Sequence, residues 1–203
     1  MMKIIVSLLI LICAAPVAMA QDNAPALSHM KISDDTALRG FIWGLPKKII
    51  KQNEKGTFME EAGETLFFLD NIRGLRTTIG YEFQDNKLWR AKVFIEKKYF
   101  EQQERLDDLM TVQADLNDRF GAPFIEDMKW LNEREKNYPE SWGWAVFRGE
   151  MIMTSIWRND KTQVTTYIGA TEKFQTVLSV TYEHLPTKLS LEKIRREKLL
   201  NAL

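Results

Sequence analysis

The chain has 203 residues, of which 28 are basic and 28 acidic, so its formal net charge is zero. Hydrophobic residues make up 45% and aromatic residues 11% of the chain, which is enough for a buried core and excludes a disordered chain. A neutral chain lacks the basic face that neutralises phosphates, so we expect no nucleic-acid partner. One cysteine and two histidines exclude an internal disulfide and a histidine-rich metal site. We therefore expect no metal and no cofactor.

Residues 1–20 have the pattern of a secretory signal peptide. Lys3 precedes an apolar run over 4–15, and Ala18-Met19-Ala20 fits the small-x-small cleavage rule. The run of about 12 residues is shorter than the roughly 20 that a transmembrane helix needs. We expect cleavage between Ala20 and Gln21, no transmembrane segment after cleavage, and a periplasmic or secreted location. Cys13 leaves with the signal peptide, so the mature chain has no thiol.

Three regions follow the signal peptide. Residues 21–37 are polar and rich in small side chains, which predicts a flexible N-terminal segment. We predict that residues 38–188 form a single α+β domain and that residues 189–203 form a charged C-terminal helix.

The first half of the domain predicts a short helix and three strands. The helix covers 45–52, with Pro46 in its first turn and with Ile49 and Ile50 facing inward. The strands cover 65–69, 75–83 and 87–96, and Asp85-Asn86 forms a tight turn between the last two. Alternation places two sets of side chains on the core side: Thr77, Ile79, Tyr81 and Phe83, then Trp89, Ala91, Val93 and Ile95.

The second half begins with the longest predicted helix, over 101–120, which ends at Gly121. Its apolar stripe consists of Leu106, Leu109, Met110, Leu116 and Phe120. An aromatic insertion over 124–149 has two interpretations. Pro139 opens a short helix that ends at Gly149, or Trp142, Trp144 and Val146 alternate along a strand.

Three more strands, over 151–157, 163–169 and 176–183, complete the predicted fold. The fold class is α+β, with an antiparallel sheet of about six strands and the long helix packed on one face. Each half has the order helix and then three strands, which indicates two repeats, 38–97 and 101–184, as an alternative to a single unit.

The candidate site is the sheet face opposite the core. A solvated face carries polar residues, so an apolar one is either covered or binds a partner. The candidate binding residues are Trp157, Tyr167, Met153, Met151 and Phe94. A turn at Asn159-Asp160 that pairs Arg158 with Lys161 predicts that the first three lie close together. We expect these three side chains on the opposite face of the sheet from Ile156 and Val164.

Catalytic motifs are missing from the sequence. The carboxylate pairs Glu60-Glu61, Asp107-Asp108 and Glu126-Asp127 have no spacing that places them across a cleft. His184 ends the last strand and is interpreted as a surface residue. We therefore expect no enzyme activity, with an unrecognised carboxylate site as the alternative.

Three short motifs resemble those of a broad group of uncharacterised bacterial exported proteins. They are FIWGLPKKI at 41–49, YEFQDNKL at 81–88 and FGAP at 120–123. The order of helices and strands is also similar to the SmpA/BamE lipoproteins and to their tandem relative, the β-lactamase inhibitor protein. The resemblance implies a protein-binding role on an aromatic sheet face. The chain lacks the lipobox cysteine of the lipoproteins and the disulfides of the inhibitor.

Together these observations predict an exported, non-enzymatic binding or structural protein of the bacterial envelope. The sheet face or the insertion over 124–149 binds an envelope or secreted protein partner. The alternative is a carrier of a small ligand or lipid, with the insertion as a lid over a cavity.

Overall fold

The structure, a computed structural model, describes residues 35–170 and 175–201. These residues form four α-helices and a single antiparallel sheet of eight strands, so the predicted α+β class is confirmed and the predicted six strands are too few. The predicted signal peptide over 1–20 and most of the N-terminal segment over 21–37 lie outside the described residues. Ala37, at the end of that segment, is fully buried.

The helices are α1 (Lys47–Asn53), α2 (Glu104–Phe120), α3 (Trp142–Phe147) and α4 (Leu185–Leu200). The strands are β1 (Thr57–Ala62), β2 (Thr65–Ile72), β3 (Leu75–Gln84), β4 (Lys87–Ile95), β5 (Ile125–Trp130), β6 (Met151–Arg158), β7 (Thr162–Ala170) and β8 (Thr176–His184). Short 3-10 helices cover Leu38–Gly40 and Pro139–Ser141.

The sheet consists of two four-stranded meanders that meet at their last strands. The strand order is β1-β2-β3-β4-β8-β7-β6-β5. The seam between β4 and β8 runs from the pair Arg90–Glu183 to the pair Ile95–Leu178. The first half has the order helix and then four strands, whereas in the second half α3 lies between β5 and the last three strands. Each half has one strand more than the sequence predicts. An origin by duplication stays a prediction.

The two strands that the sequence did not predict, β1 and β5, are the edges of the sheet. All six residues of β1 are exposed, and β5 is mostly exposed. An edge strand with little burial has no need for the alternation of apolar and polar residues on which strand prediction depends.

Helices α1, α2 and α3 cover one face of the sheet and form the core with it. Ile50 of α1, Leu109 of α2 and Val146 of α3 are each 0% exposed. The predicted inward positions Ile49 and Met110 are wrong, because both side chains are exposed. On α2, Val112 belongs to the buried stripe that packs against the sheet.

The predicted strand phase is correct in β3 and, from Ala91 onward, in β4, where Ala91 and Val93 are buried as predicted; it fails only at Trp89. Tyr81 and Phe83 of β3 are buried as predicted, and the Asp85-Asn86 turn has the positive φ angles that it requires. A register shift then pairs Phe83 with Leu88, so Leu88 is in the core. Trp89, predicted to face the core, has no strand partner and is half-buried.

The insertion over 124–149 contains β5 and then α3, so the helical interpretation of its second part is correct. The 3-10 helix at Pro139–Ser141 leads directly into α3. At Gly143 a Cβ atom would lie 2.4 Å from the carbonyl oxygen of Gln102. Only glycine allows α3 to approach the chain before α2 this closely.

Helix α4 begins immediately after β8, four residues before its predicted start. Leu185 is buried, and from Glu192 onward every described residue is exposed. In the described part of the chain, no helix has the length and apolar character needed to cross a membrane.

Candidate functional site

The side chains of β6 that face the helices are not the ones that the sequence predicts, and this difference changes the candidate site. Trp157 pairs with Val164, and Met153 pairs with Ile168. Directly opposed residues in an antiparallel pair share a face, so both side chains are on the helix-covered face. Met151 on the same face is 0% exposed. The predicted group of Met153, Trp157 and Tyr167 on one open face is therefore wrong.

The sequence of β6 explains the error. Its residues MIMTSIWR place apolar side chains at both even and odd positions, so alternation does not select the buried face. The turn also differs, because Arg158 pairs with Gln163 and not with Lys161. Asn159 closes it: its Oδ1 accepts hydrogen bonds from the backbone N–H groups of Lys161 at 2.9 Å and Thr162 at 2.6 Å.

Trp157 has a structural role in the core. Its indole N–H donates to Asn117 Oδ1 at 3.1 Å and to the carbonyl oxygen of Gly121 at 3.0 Å. These bonds join β6 to the C-terminal end of α2. The side chain is 2% exposed and cannot serve as a surface anchor.

Phe94 and Tyr167, the other two predicted site residues, lie on the face of the sheet that α1, α2 and α3 do not cover; we call it the open face. Phe94 pairs with Ser179, Ser179 pairs with Tyr167, and Tyr167 pairs with Thr154, so these four residues form one row across the sheet. Phe94 and Tyr167 are both half-buried. Ile156, predicted to face the core, also lies on this open face opposite Thr165.

A groove of about 520 Å³ lies in the middle of the open face; we call it the central groove. Its lining residues come from β2, β3, β4, β6, β7, β8 and the first turns of α4: Thr65, Phe67, Gly80, Glu82, Arg90, Lys92, Phe94, Ile156, Gln163, Thr165, Thr181, Glu183 and Lys188. At Gly80 a Cβ atom would lie 3.2 Å from the Phe67 ring, so glycine leaves room for that ring across the strand.

Most charges in the central groove belong to ion pairs. Arg90 contacts Glu82 and lies 3.9 Å from Glu183, and its guanidinium stacks 4.6 Å from the centre of the Trp89 ring. Lys188 donates to Glu183 at 2.6 Å. These pairs neutralise both carboxylates and two of the three cations.

Lys92 is the cation that remains. Its ammonium lies 4.7 Å from the centre of the Phe94 ring. Among residues 35–170 and 175–201, no carboxylate oxygen lies within 4.0 Å of it. Burial lowers the pKa of Lys92, and the neighbouring charge of Arg90 lowers it further. Glu82 and Glu183 oppose this lowering through their negative charges, but neither forms an ion pair with Lys92.

The carboxylate pairs that the sequence singled out do not meet in this groove. Glu61 pairs with Lys47 at 2.9 Å, and Asp108 pairs with Lys97 at 3.1 Å. Glu126 and Asp127 are exposed on the edge strand β5. The described residues contain no cluster of three or more histidine, cysteine or acidic side chains that could hold a metal ion.

His184 lies at the junction of β8 and α4. Its Nδ1 is 2.8 Å from Thr187 Oγ1, and its ring lies 5.8 Å from the ring of Trp43. Burial lowers the pKa of His184. These contacts belong to the strand end and not to the central groove.

A second, smaller cavity of about 110 Å³ lies between α2 and the sheet. Asp115 lines it and pairs with Arg73 at 2.8 Å, while burial raises the pKa of its carboxyl group. Tyr182 also lines the cavity. The volume is below the roughly 300–1,000 Å³ of drug-sized ligand sites.

Comparison of the chain with known protein families, with curated proteins and with solved structures finds no match. The resemblance to the SmpA/BamE lipoproteins and the β-lactamase inhibitor protein therefore stays a prediction.

The charged residues of the groove are not among the predicted site residues. Arg90 and Lys92 alternate with core residues along β4, which is a readable signal that their side chains point outward. Glu183 and Gln163 join them only because β8 and β7 lie beside β4 in the sheet. Their proximity is a property of strand order.

Proposed function

We propose that this protein is a non-enzymatic binding protein of the bacterial envelope, and that its central groove receives an acidic side chain of a partner protein. The observation that carries the proposal is the half-buried ammonium of Lys92, which lies in the groove over the Phe94 ring and forms no ion pair within 4.0 Å among the described residues. The location in the envelope rests on the signal-peptide pattern of residues 1–20.

The surroundings of Lys92 favour a protein partner over a lipid. Phe67, Phe94 and Ile156 border the groove together with Arg90. Aromatic side chains and arginine are enriched at protein interfaces. A lipid carrier needs an enclosed apolar cavity, whereas charged side chains line this groove.

The chemistry of the groove favours binding over catalysis. Glu82 and Glu183 are both held in ion pairs, with Arg90 and Lys188 respectively, so neither carboxylate stands free in the groove. The groove lining contains no histidine or serine that these carboxylates could activate.

A carrier of a small organic acid is the second candidate. The groove volume of about 520 Å³ favours it, because ligand sites of this size accommodate small molecules. In that case Lys92 binds the acid group and Phe67 contacts its apolar part.

The test is photo-crosslinking in cells that export the protein. A photoreactive amino acid replaces Thr165, which lines the groove next to Thr181. We expect a protein adduct of defined mass that Lys92→Glu removes. The matched control Lys87→Glu changes the same charge on the same strand, at an exposed position outside the groove, and keeps the adduct.

Two results would contradict the protein-binding proposal. One is the absence of any adduct, and the other is an adduct that survives Lys92→Glu unchanged. Native mass spectrometry of the purified protein separates the second candidate, because a bound small acid adds mass to the native protein and Lys92→Glu removes that mass. Thermal melting of each variant establishes that it is folded.

A further inference from the structure

The two edges of the sheet differ in their backbone. In β1, the register shifts between Phe58 and Glu60, which leaves Met59 as a bulge. In β5, every residue from Ile125 to Trp130 pairs with β6 without irregularity. Bulges block the addition of another strand to an edge, so β1 is protected and β5 is the edge that can extend the ladder.

One hydrogen bond shows which backbone groups of β5 point away from β6, toward the free edge of the sheet. The N–H of Leu131 donates to the carbonyl oxygen of Glu150 at 2.7 Å and continues the β5–β6 register past Trp130. Alternate residues of an antiparallel strand bond to the same neighbour. The backbone groups of Glu126, Met128 and Trp130 therefore point away from β6.

We propose that a second copy of this chain pairs with β5 about a two-fold axis at Met128, so that the two sheets become one continuous sheet. The axis stands perpendicular to the sheet, and opposed residues therefore share a face. Met128 then lies opposite Met128 of the second copy. Glu126 lies opposite Trp130 of the second copy, and these positions carry the new backbone hydrogen bonds.

Charge complementarity selects this register. Asp127 lies opposite Lys129 of the second copy, and the symmetry repeats this pair. Asp127 and Lys129 occupy non-hydrogen-bonded pair positions, where the opposed side chains of two antiparallel strands are closest. A shift of the second copy by two residues in either direction places Asp127 opposite Asp127 or Lys129 opposite Lys129. Both alternatives juxtapose like charges.

The same register also buries exposed apolar surface. Ile125 is 43% exposed and Leu131 is 58% exposed. In the proposed pairing, each Ile125 lies opposite Leu131 of the second copy, on the face that carries the central groove. The two grooves of the dimer therefore open on the same side of the continuous sheet.

The experiment measures the mass of the purified chain by light scattering across a series of concentrations. We expect the wild type to have twice the monomer mass. Asp127→Lys and Lys129→Asp each place like charges opposite each other and should give monomers. The double variant that carries both changes restores opposite charges and should restore the dimer. Glu60→Lys on β1 is the control and should remain dimeric.

Three results would overturn the proposal. They are a monomeric wild type at every concentration, a dimer that neither single change weakens, and two monomeric single variants whose combination stays monomeric. The last result would show that the two charges do not oppose each other. All substituted side chains are exposed, so circular dichroism and thermal melting should match the wild type and exclude unfolding as a cause.

Discussion

The two faces of the sheet hold their aromatic residues in different environments. On the helix-covered face, Trp157 is 2% exposed and both hydrogen bonds of its indole go to the end of α2. On the open face, Phe94 and Tyr167 are half-buried beside charged and polar side chains. Whether an aromatic residue of a strand lies in the core or at the surface therefore depends on which face of the sheet it occupies, and not on how apolar it is.

The largest expected effect belongs to Trp157→Ala. This change removes a buried ring and leaves Asn117 without its donor, so we expect a loss of about 3–5 kcal/mol in the free energy of unfolding. Urea denaturation of the purified chain measures it. Trp157→Phe retains most of the ring and loses the donor, so its loss should be clearly smaller. A loss below about 1 kcal/mol for the alanine variant would contradict the core placement.

A second prediction sharpens the comparison within α2. Leu109 faces the sheet with no exposed surface, while Met110 is 52% exposed. Leu109→Ala should lower the free energy of unfolding by about 2–5 kcal/mol. Met110→Ala should change it by less than about 0.5 kcal/mol. Equal losses at the two positions in thermal melting would mean that α2 is rotated about its axis.

The smallest effects are expected on the open face. Tyr167→Ala and Phe94→Ala remove half-buried rings, so each should lower the free energy of unfolding by no more than about 1 kcal/mol. The same urea titration measures both. Losses above about 2 kcal/mol at both positions would show that another part of the chain covers this face.

Prediction from sequence succeeded where a strand has two chemically distinct sides. In β3, Ile79 and Tyr81 alternate with polar residues, and the predicted face is the buried one. In β6, both sides are apolar, so the phase depends on the Asn159 turn and on packing against α2. The edge strands β1 and β5 were missed because exposed strands need no such alternation.

The candidate site was harder to predict than the fold. The outward positions of Lys92 and Phe94 can be read from β4 alone. Glu183 comes to Arg90 only through the pairing of β4 with β8, which no local pattern in the sequence specifies. A site assembled across several strands depends on the order of those strands in the sheet.

The seam between β4 and β8 also has a kinetic consequence. Hairpins such as β3–β4 and β7–β8 join neighbouring segments, whereas the pair Ile95–Leu178 joins segments that are remote in the chain. Closing a long loop costs entropy that only the finished contact repays, so remote pairs form late in folding. We therefore expect each meander to form first and the seam to close last. Because the central groove spans this seam, a chain that has folded only one meander has not yet formed the groove.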